Sequence, residues 1–319
     1  MHLGPGALAI GGAVRDLFLD LVPVDVDVET DAPLAAASAL GKVIALGRGE
    51  LTVYRVVVDG RVYDFSGKTD LRRRDFTINA IAIDLASGEI RDPHGGQEDI
   101  RRRIVRMIAP ENFDDDPLRM LRGVRLAVRF DFTIDEATVA AIRQRAGKIT
   151  TVAAERVTYE LHATFSAGRF RKALGLLNAT GLDQALFGFE VDPNRFHDDD
   201  ISLAASYALI LQNPKEFGER WKWSDALLRD VKTLQQLMRD PNPIALYDAG
   251  EKLARQLPLQ VPMPDFTIKP LLDGHEIGSL TGLEGPKLGA LKRALLEAQI
   301  RGEVRTRNDA ERFLNDHLP

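Results

Sequence analysis

Residues 24 to 28 read Val-Asp-Val-Asp-Val, an unbroken alternation that fits an extended strand, with valines on one face and Asp25 and Asp27 together on the other. A half-buried strand needs neighbours, so a purely helical chain is excluded. Ala7 to Ile10 form a short apolar strand ending at Gly11-Gly12, and Val14, Leu17, Phe18 and Leu21 then recur at helical spacing until Pro23 stops the run. Two more strands, 51 to 58 and 61 to 65, are joined by Asp59-Gly60, a strong hairpin signal. The first hundred residues thus read as a mixed α/β region.

From about residue 114 the β-type runs disappear, and helical patterning follows, broken at Gly181, Pro193, Pro214, Pro241, Pro243 and Gly274. An elongated, all-helical second half is expected. Four prolines between 256 and 270 predict an extended linker before a final pair of helices. At 319 residues the chain exceeds what one core usually holds, so two or more domains are expected. With 45% hydrophobic and 28% charged residues it has a globular composition, and the lack of cysteine excludes disulfides, thiolate metal sites and a cysteine nucleophile. The apolar runs are too short to span a bilayer, and the start, MHLGPGALAIGG, has no basic n-region. A cytoplasmic location is expected.

The net charge of −5 conceals an asymmetry: residues 68 to 172 carry 20 Lys and Arg against 16 Asp and Glu. The arginines cluster at 72 to 74, at 101 to 103 with Arg106, and at Arg119, Arg122, Arg125 and Arg129. Such clusters suit a polyanion held in one groove, although each one alone is also what a solvated helix face looks like.

Asp25 and Asp27, at i and i+2 on one strand, stand about 6 to 7 Å apart along the backbone. Carboxylates at that separation suit hard cations such as Mg2+ and, with them, a nucleoside triphosphate; an antiparallel sheet with one wet face would give the same alternation. Gly11-Gly12 precedes a helix start, where backbone amides can meet phosphate. Arg15, one turn in, can pair with phosphate oxygens. Asp64, within Val62-Tyr63-Asp64-Phe65, is a candidate third carboxylate or a simple edge-strand charge.

GGAVRD at 11 to 16 followed by DVD at 25 to 27 resembles the first signature of the polymerase-beta-type nucleotidyltransferases, specifically the class II tRNA nucleotidyltransferases and bacterial poly(A) polymerases. RRRDFTINA at 72 to 80 is similar to their second signature, and IRDPHGGQEDIRRRIVR at 90 to 106 to the segment joining head and neck. DDDPLRMLRGVRLAVRF at 114 to 130 resembles the fourth and ERVTYEL at 155 to 161 the fifth; the tail, 274 to 304, resembles the family's C-terminal helices. The resemblance implies an α+β head of polymerase-beta type over 1–100, a helical neck over 101–170 that recognises the base, a helical body over 171–255, and a tail over 256–319 that binds tRNA.

Base choice has a physical basis in the fourth segment. Pro117 suits the first helical position, making Asp116 the expected N-cap, and Arg119 follows one turn later. Asp116 only accepts and Arg119 only donates. That couple matches the amino donor and ring-nitrogen acceptor of cytosine or adenine and opposes uracil and guanine. The bland reading is an amphipathic helix with acid at its N-terminus. The resemblance implies the template role for Asp116 and Arg119, with Asp115 in place of the family's usual glutamate, and nucleotide binding by Arg122 and Arg125. In the second signature Arg74 would orient phosphates with Gly12 and Arg15. Asp75, beside Asn79, can accept from a ribose 2′-hydroxyl or form a structural ion pair with Arg74.

Only Ser66 to Leu71 separate the hairpin strand from Arg72. Relatives that add the full CCA sequence carry a longer loop here, so the resemblance implies a CC-adding type. The expected activity is template-independent addition of C to the tRNA 3′ end with Mg2+, CTP as substrate and ATP as the second candidate. A poly(A) polymerase or A-adding enzyme is the alternative within the family, and a catalytically silent RNA-binding protein the alternative outside it. His197, followed by three aspartates, reads as a solvated acidic turn rather than a hydrolase site.

Overall fold

The computed structural model describes residues 6–49, 52–196, 200–256 and 261–318; His197, Asp198 and Asp199 lie outside them. The chain divides into two compact units, Met1–Asp200 and Ile201–Pro319.

The first unit is built on a seven-stranded sheet. Its strands are β1 (Leu8–Ile10), β2 (Asp25–Glu29), β3 (Val43–Leu46), β4 (Val53–Val58), β5 (Arg61–Ser66), β6 (Ala82–Asp84) and β7 (Ile90–Arg91). Their order is β3-β4-β5-β2-β1-β6-β7, and only the central β2–β5 pair is parallel. The valine face of β2 explains why it is central. Val28 joins Ala7, Val56, Phe65, Ala36 and Ala37 in a core, the last two from helix α2 (Pro33–Leu40), so α2 covers that face and leaves the acids on the other.

Helix α1 (Gly12–Phe18) is shorter than its sequence pattern predicts. It ends five residues before Pro23: Asp20 adopts a left-handed φ of 57° and Leu21 N–H closes onto Asp16 O at 2.9 Å, turning the chain. Leu17 and Leu21 are consequently exposed rather than packed on an apolar stripe.

Beyond the sheet come α3 (Gly96–Arg101), α4 (Asn112–Asp115), α5 (Leu118–Arg129), α6 (Glu136–Arg145) and α7 (Ala154–Phe165). The expectation of no strand after residue 114 fails at one point: β8 (Ile104–Val105) and β9 (Thr133–Ile134) form a two-stranded parallel ribbon, too short to leave a periodic signal. Helix α5 begins at Leu118, one residue later than expected, although the Asp116 carboxylate still accepts the Leu118 N–H at 3.2 Å. Its inner face approaches the second signature through Gly123, where an added Cβ would sit 2.7 Å from the Phe76 ring. Two further helices, Phe170–Thr180 and Leu182–Phe187, complete this unit.

The second unit contains no strand among its described residues. Its longest helices are Asp225–Arg239, which buries Val231, Leu234 and Leu237, and Gly285–Ile300. Leu272, Ile277, Leu291, Leu295, Ala298, Val304, Ala310 and Leu314 form one buried cluster. Residues 261–270 lie outside helix and strand. No helix among the described residues is long and apolar enough to cross a membrane.

Candidate active site

Strand β2 puts Asp25, Asp27 and Glu29 on one face, in order of increasing burial: Asp25 is exposed, Asp27 half-buried and Glu29 buried. Parallel pairing sets Asp64 of β5 opposite Asp27, so four carboxylates share a small area of one sheet face. Burial, followed by the charges of Asp64, Asp25 and Glu29, pushes the Asp27 carboxyl above its ordinary value, against the pull of Arg74. Such a group gains from any cation brought to it.

The four acids are not equivalent. Arg55, opposite Asp64 in the β4–β5 ladder, grips Asp64 bidentately at 2.8 and 2.7 Å. Arg74 pairs with Glu29 at 3.0 Å. Among the described residues no group of three His, Cys, Asp or Glu side chains forms a ready metal cage. A Mg2+ ion, however, is commonly held by one or two carboxylates, with water and substrate phosphate completing its shell. The Asp25–Asp27 pair, made only of hard oxygen donors and crowded by negative charge, fits that requirement.

Gly11 has φ 70° and faces this cluster: a Cβ there would stand 3.3 Å from Arg74 Nη1, 3.5 Å from Asp27 Oδ2 and 3.9 Å from Asn79 O. The positive φ favours glycine here, and a Cβ would also press on the Arg74 guanidinium. Gly12, Arg15, Asp25, Asp27, Val24 and Arg129 line a cavity of about 340 Å³ beside it.

Arg15 lines the cavity yet is largely tied into the protein. It bonds Asp16 through Nε and Nη2 at 2.9 and 2.6 Å and Asn79 through Nη1 at 2.6 Å, with its guanidinium carbon 4.6 Å from the Phe130 ring centre. Burial pulls its pKa below the ordinary value despite Asp16. Three of the five guanidinium donors are committed, leaving two. Asn79 Nδ2 donates to buried Asp75 at 3.0 Å, and Asp75 is ion-paired with Arg122 at 3.1 Å. That charge, opposed by burial, raises the Arg122 pKa. Arg15, Asn79, Asp75 and Arg122 thus form one chain of polar contacts from α1 to α5. The Arg74–Asp75 ion pair weighed from sequence does not form, since each residue has its partner elsewhere.

Three of the α5 arginines are tied to partners, while Arg129 is exposed. Arg119 donates to the Asn112 carbonyl at 3.0 Å, Arg122 faces Asp75, and half-buried Arg125 pairs with buried Glu160 of α7 at 2.5 Å. Asp116 and Arg119 are brought to the same end of α5, where the Arg119 backbone N–H donates to the Asp116 carbonyl at 3.1 Å while their side chains bond elsewhere. Arg156, also from α7, holds Asp116 at 2.8 Å. The sequence reading missed Glu29, Arg55, Asn112, Arg156 and Glu160. Glu29 was legible as one more step of the β2 alternation; the other four acquire their roles only through pairing between elements.

A central sheet with clustered acids beside a glycine turn, followed by helices bearing an Asp and arginines, defines a nucleotidyltransferase-type enzyme. Comparison with known proteins narrows this. Residues 51–106 match the family model described as the poly A polymerase head domain, and residues 131–192 that described as the probable RNA and SrmB-binding site of polymerase A. The CCA-adding enzyme of Geobacillus stearothermophilus is 32% identical, covering 86% of this chain and 77% of its own. The A-adding tRNA nucleotidyltransferase of Deinococcus radiodurans is 29% identical over 97% of this chain and 95% of its own. The crystal structure of the Bacillus stearothermophilus CCA-adding enzyme in complex with CTP superposes with a TM-score of 0.77 at 27% identity, covering 97% of this chain and 92% of that one. The chain belongs to the CCA-adding family of tRNA nucleotidyltransferases.

Proposed function

We propose that this enzyme adds cytidine to the 3′ end of tRNA from CTP and stops after two additions. The observation that carries the limit is the connector after β5: only Gly67 to Asp70 separate Ser66 from the turn Leu71–Arg73. Four residues leave little freedom for a loop to rearrange a pocket from one base to another. Asp25 and Asp27 would hold Mg2+, which lowers the pKa of a bound hydroxyl and offsets the charge of a triphosphate. Gly11, Gly12, Arg74 and the two spare donors of Arg15 would face the phosphates. Asp75 would accept from the ribose 2′-hydroxyl, held in place by Asn79 and Arg122. Asp116, oriented by Arg156, and Arg119, oriented by the Asn112 carbonyl, would read the base as acceptor and donor, while Arg122 and Arg125 frame the nucleotide. Asp64, bound by Arg55, supplies negative charge beside Asp27. Within the fourfold division, residues 1–100 would catalyse, 101–170 read the base, and 171–255 with 256–319 grip the acceptor arm through its backbone, in the cytoplasm.

The nearly full-length likeness to an A-adding relative favours a second reading, terminal adenosine addition. Extension of a tRNA transcript lacking CCA, given one nucleotide at a time, separates the cases. Incorporation that halts after two cytidines supports the proposal. Addition of A to a transcript ending in CC supports the second reading, a long adenosine tract indicates a poly(A) polymerase, and tRNA binding without Mg2+-dependent extension indicates a silent binder.

A further inference from the structure

Glu29 is 1% exposed, and a buried carboxylate must find donors. It has three: the Thr69 backbone N–H at 3.0 Å, the Thr69 hydroxyl, and Arg74 Nη2 at 3.0 Å. All three come from the connector and the arginine that follows it. The same segment is fastened elsewhere by Lys68 on Asp31 at 2.6 Å and by the Asn112 amide, which donates to the carbonyls of Arg72 and Arg74 at 2.9 and 2.7 Å. Arg74 therefore presents Nη2 to Glu29 while Nη1 stands against the glycine turn, 3.3 Å from where a Gly11 Cβ would lie.

Asp27 Oδ2 borders the same point of the turn, 3.5 Å from that Cβ position, so it competes for the same guanidinium. With glutamine at position 29 the guanidinium loses the carboxylate that holds its Nη2 edge, and a turn of Arg74 onto Asp27 would draw the arginine off the glycine turn and cancel the charge that a cation needs. We propose that Glu29 is a positioning residue for the incoming nucleotide: it holds Arg74 away from Asp27 with one guanidinium edge at the Gly11 turn, where nucleoside triphosphate phosphates are received, and it clamps the connector to the catalytic strand. This rests on the nucleotidyltransferase reading of the site but not on which base is added, because phosphates are common to all nucleoside triphosphates.

The test uses the full chain carrying Glu29→Gln, Glu29→Ala, Glu29→Asp, Arg74→Gln and the Glu29→Gln/Arg74→Gln double variant. Equilibrium binding of CTP and of ATP without tRNA, KM and kcat for each nucleotide, KM for tRNA, and trypsin cleavage at Lys68, Arg72 and Arg73 are measured. Glu29→Gln is expected to weaken nucleotide binding by about tenfold or more, as loss of a charged hydrogen-bonded pair does, and to change the KM for tRNA by less than about twofold. The double variant should bind no worse than Arg74→Gln alone, and Glu29→Asp should restore part of the affinity. Glu29→Gln keeps an acceptor for Thr69, so its connector should resist trypsin as the wild type does, whereas Glu29→Ala should be cut faster. Unchanged nucleotide affinity in Glu29→Gln, additive losses in the double variant, or equal rises in both KM values with a fall in Tm would overturn the inference. A wild type that binds ATP but not CTP sinks cytidine addition and leaves this test intact with ATP. A wild type that binds neither overturns both.

Discussion

Asp27 and Asp64 stand opposite each other across the parallel strands β2 and β5, yet only Asp64 carries an arginine of its own, Arg55. The sheet thus pairs one neutralised carboxylate with one left short of positive charge, and the second is the one at the glycine turn.

Loss of Asp27 should abolish activity and still stabilise the fold. Asp27→Asn is expected to lower nucleotide incorporation by about a thousandfold, the scale of several kcal/mol of lost metal assistance. The Asp27 carboxyl is raised in the folded state by burial and by its acidic neighbours. Its protonated form therefore favours folding, an advantage fully present below the unfolded pKa and lost as pH rises through the folded one. Asp27→Asn should melt above the wild type near neutral pH, with the gap closing on acidification. Thermal melts from pH 3 to 8 check this; a lower Tm for the variant at pH 7.5 contradicts it.

Added Mg2+ should raise the Tm of the wild type and leave that of Asp27→Asn nearly unmoved, because a ligand stabilises only the state that binds it. A melt with and without millimolar Mg2+ shows the difference. An equal shift in both proteins would place the metal elsewhere.

Asp75→Asn should relax the choice of sugar. The variant loses the charge facing Arg122 and a strong acceptor for the 2′-hydroxyl. The ratio of kcat/KM for CTP over dCTP is expected to fall by about tenfold or more, in line with the worth of one charged hydrogen bond. An unaltered ratio would restrict Asp75 to a structural role.

Gly123→Ala should destabilise the first unit by about 1 to 3 kcal/mol, the usual range for overpacking a core. The new methyl would meet the buried Phe76 ring at 2.7 Å, and Phe76 itself packs against Phe113 with ring centres 6.2 Å apart. Chemical denaturation measures the loss, and a Phe76→Leu partner substitution should recover part of it.

Breaking the Arg125–Glu160 pair should cost more than breaking an exposed one. Both side chains are well covered, at 16% and 5% exposure, and Glu160→Ala leaves a guanidinium without its counter-charge. A loss of about 3 kcal/mol or more is expected, against about 1 kcal/mol or less for Arg101→Ala, whose partner Glu98 is exposed. Denaturation of the two variants side by side tests the contrast.

The amino-acid sequence alone determined what depends on local periodicity and on residue type. The alternation at 24 to 28 places Asp25 and Asp27 on one face whatever surrounds the strand, because side chains of an extended chain point in alternate directions. Asp59-Gly60 joins β4 to β5, and the short connector and the run of helices are likewise matters of spacing. Tertiary structure decided which charges are spent and which remain available. Arg15, Arg122 and Arg125 are legible as cations in the sequence, but the groups that hold them across elements are the Asn79 amide oxygen and the carboxylates of Asp75 and Glu160. The early end of α1 depends on a left-handed residue, and the β8–β9 ribbon on two residues from each side. Neither leaves a periodic trace, since an ion pair or a short ladder is specified by where two distant segments meet and not by the pattern within either one.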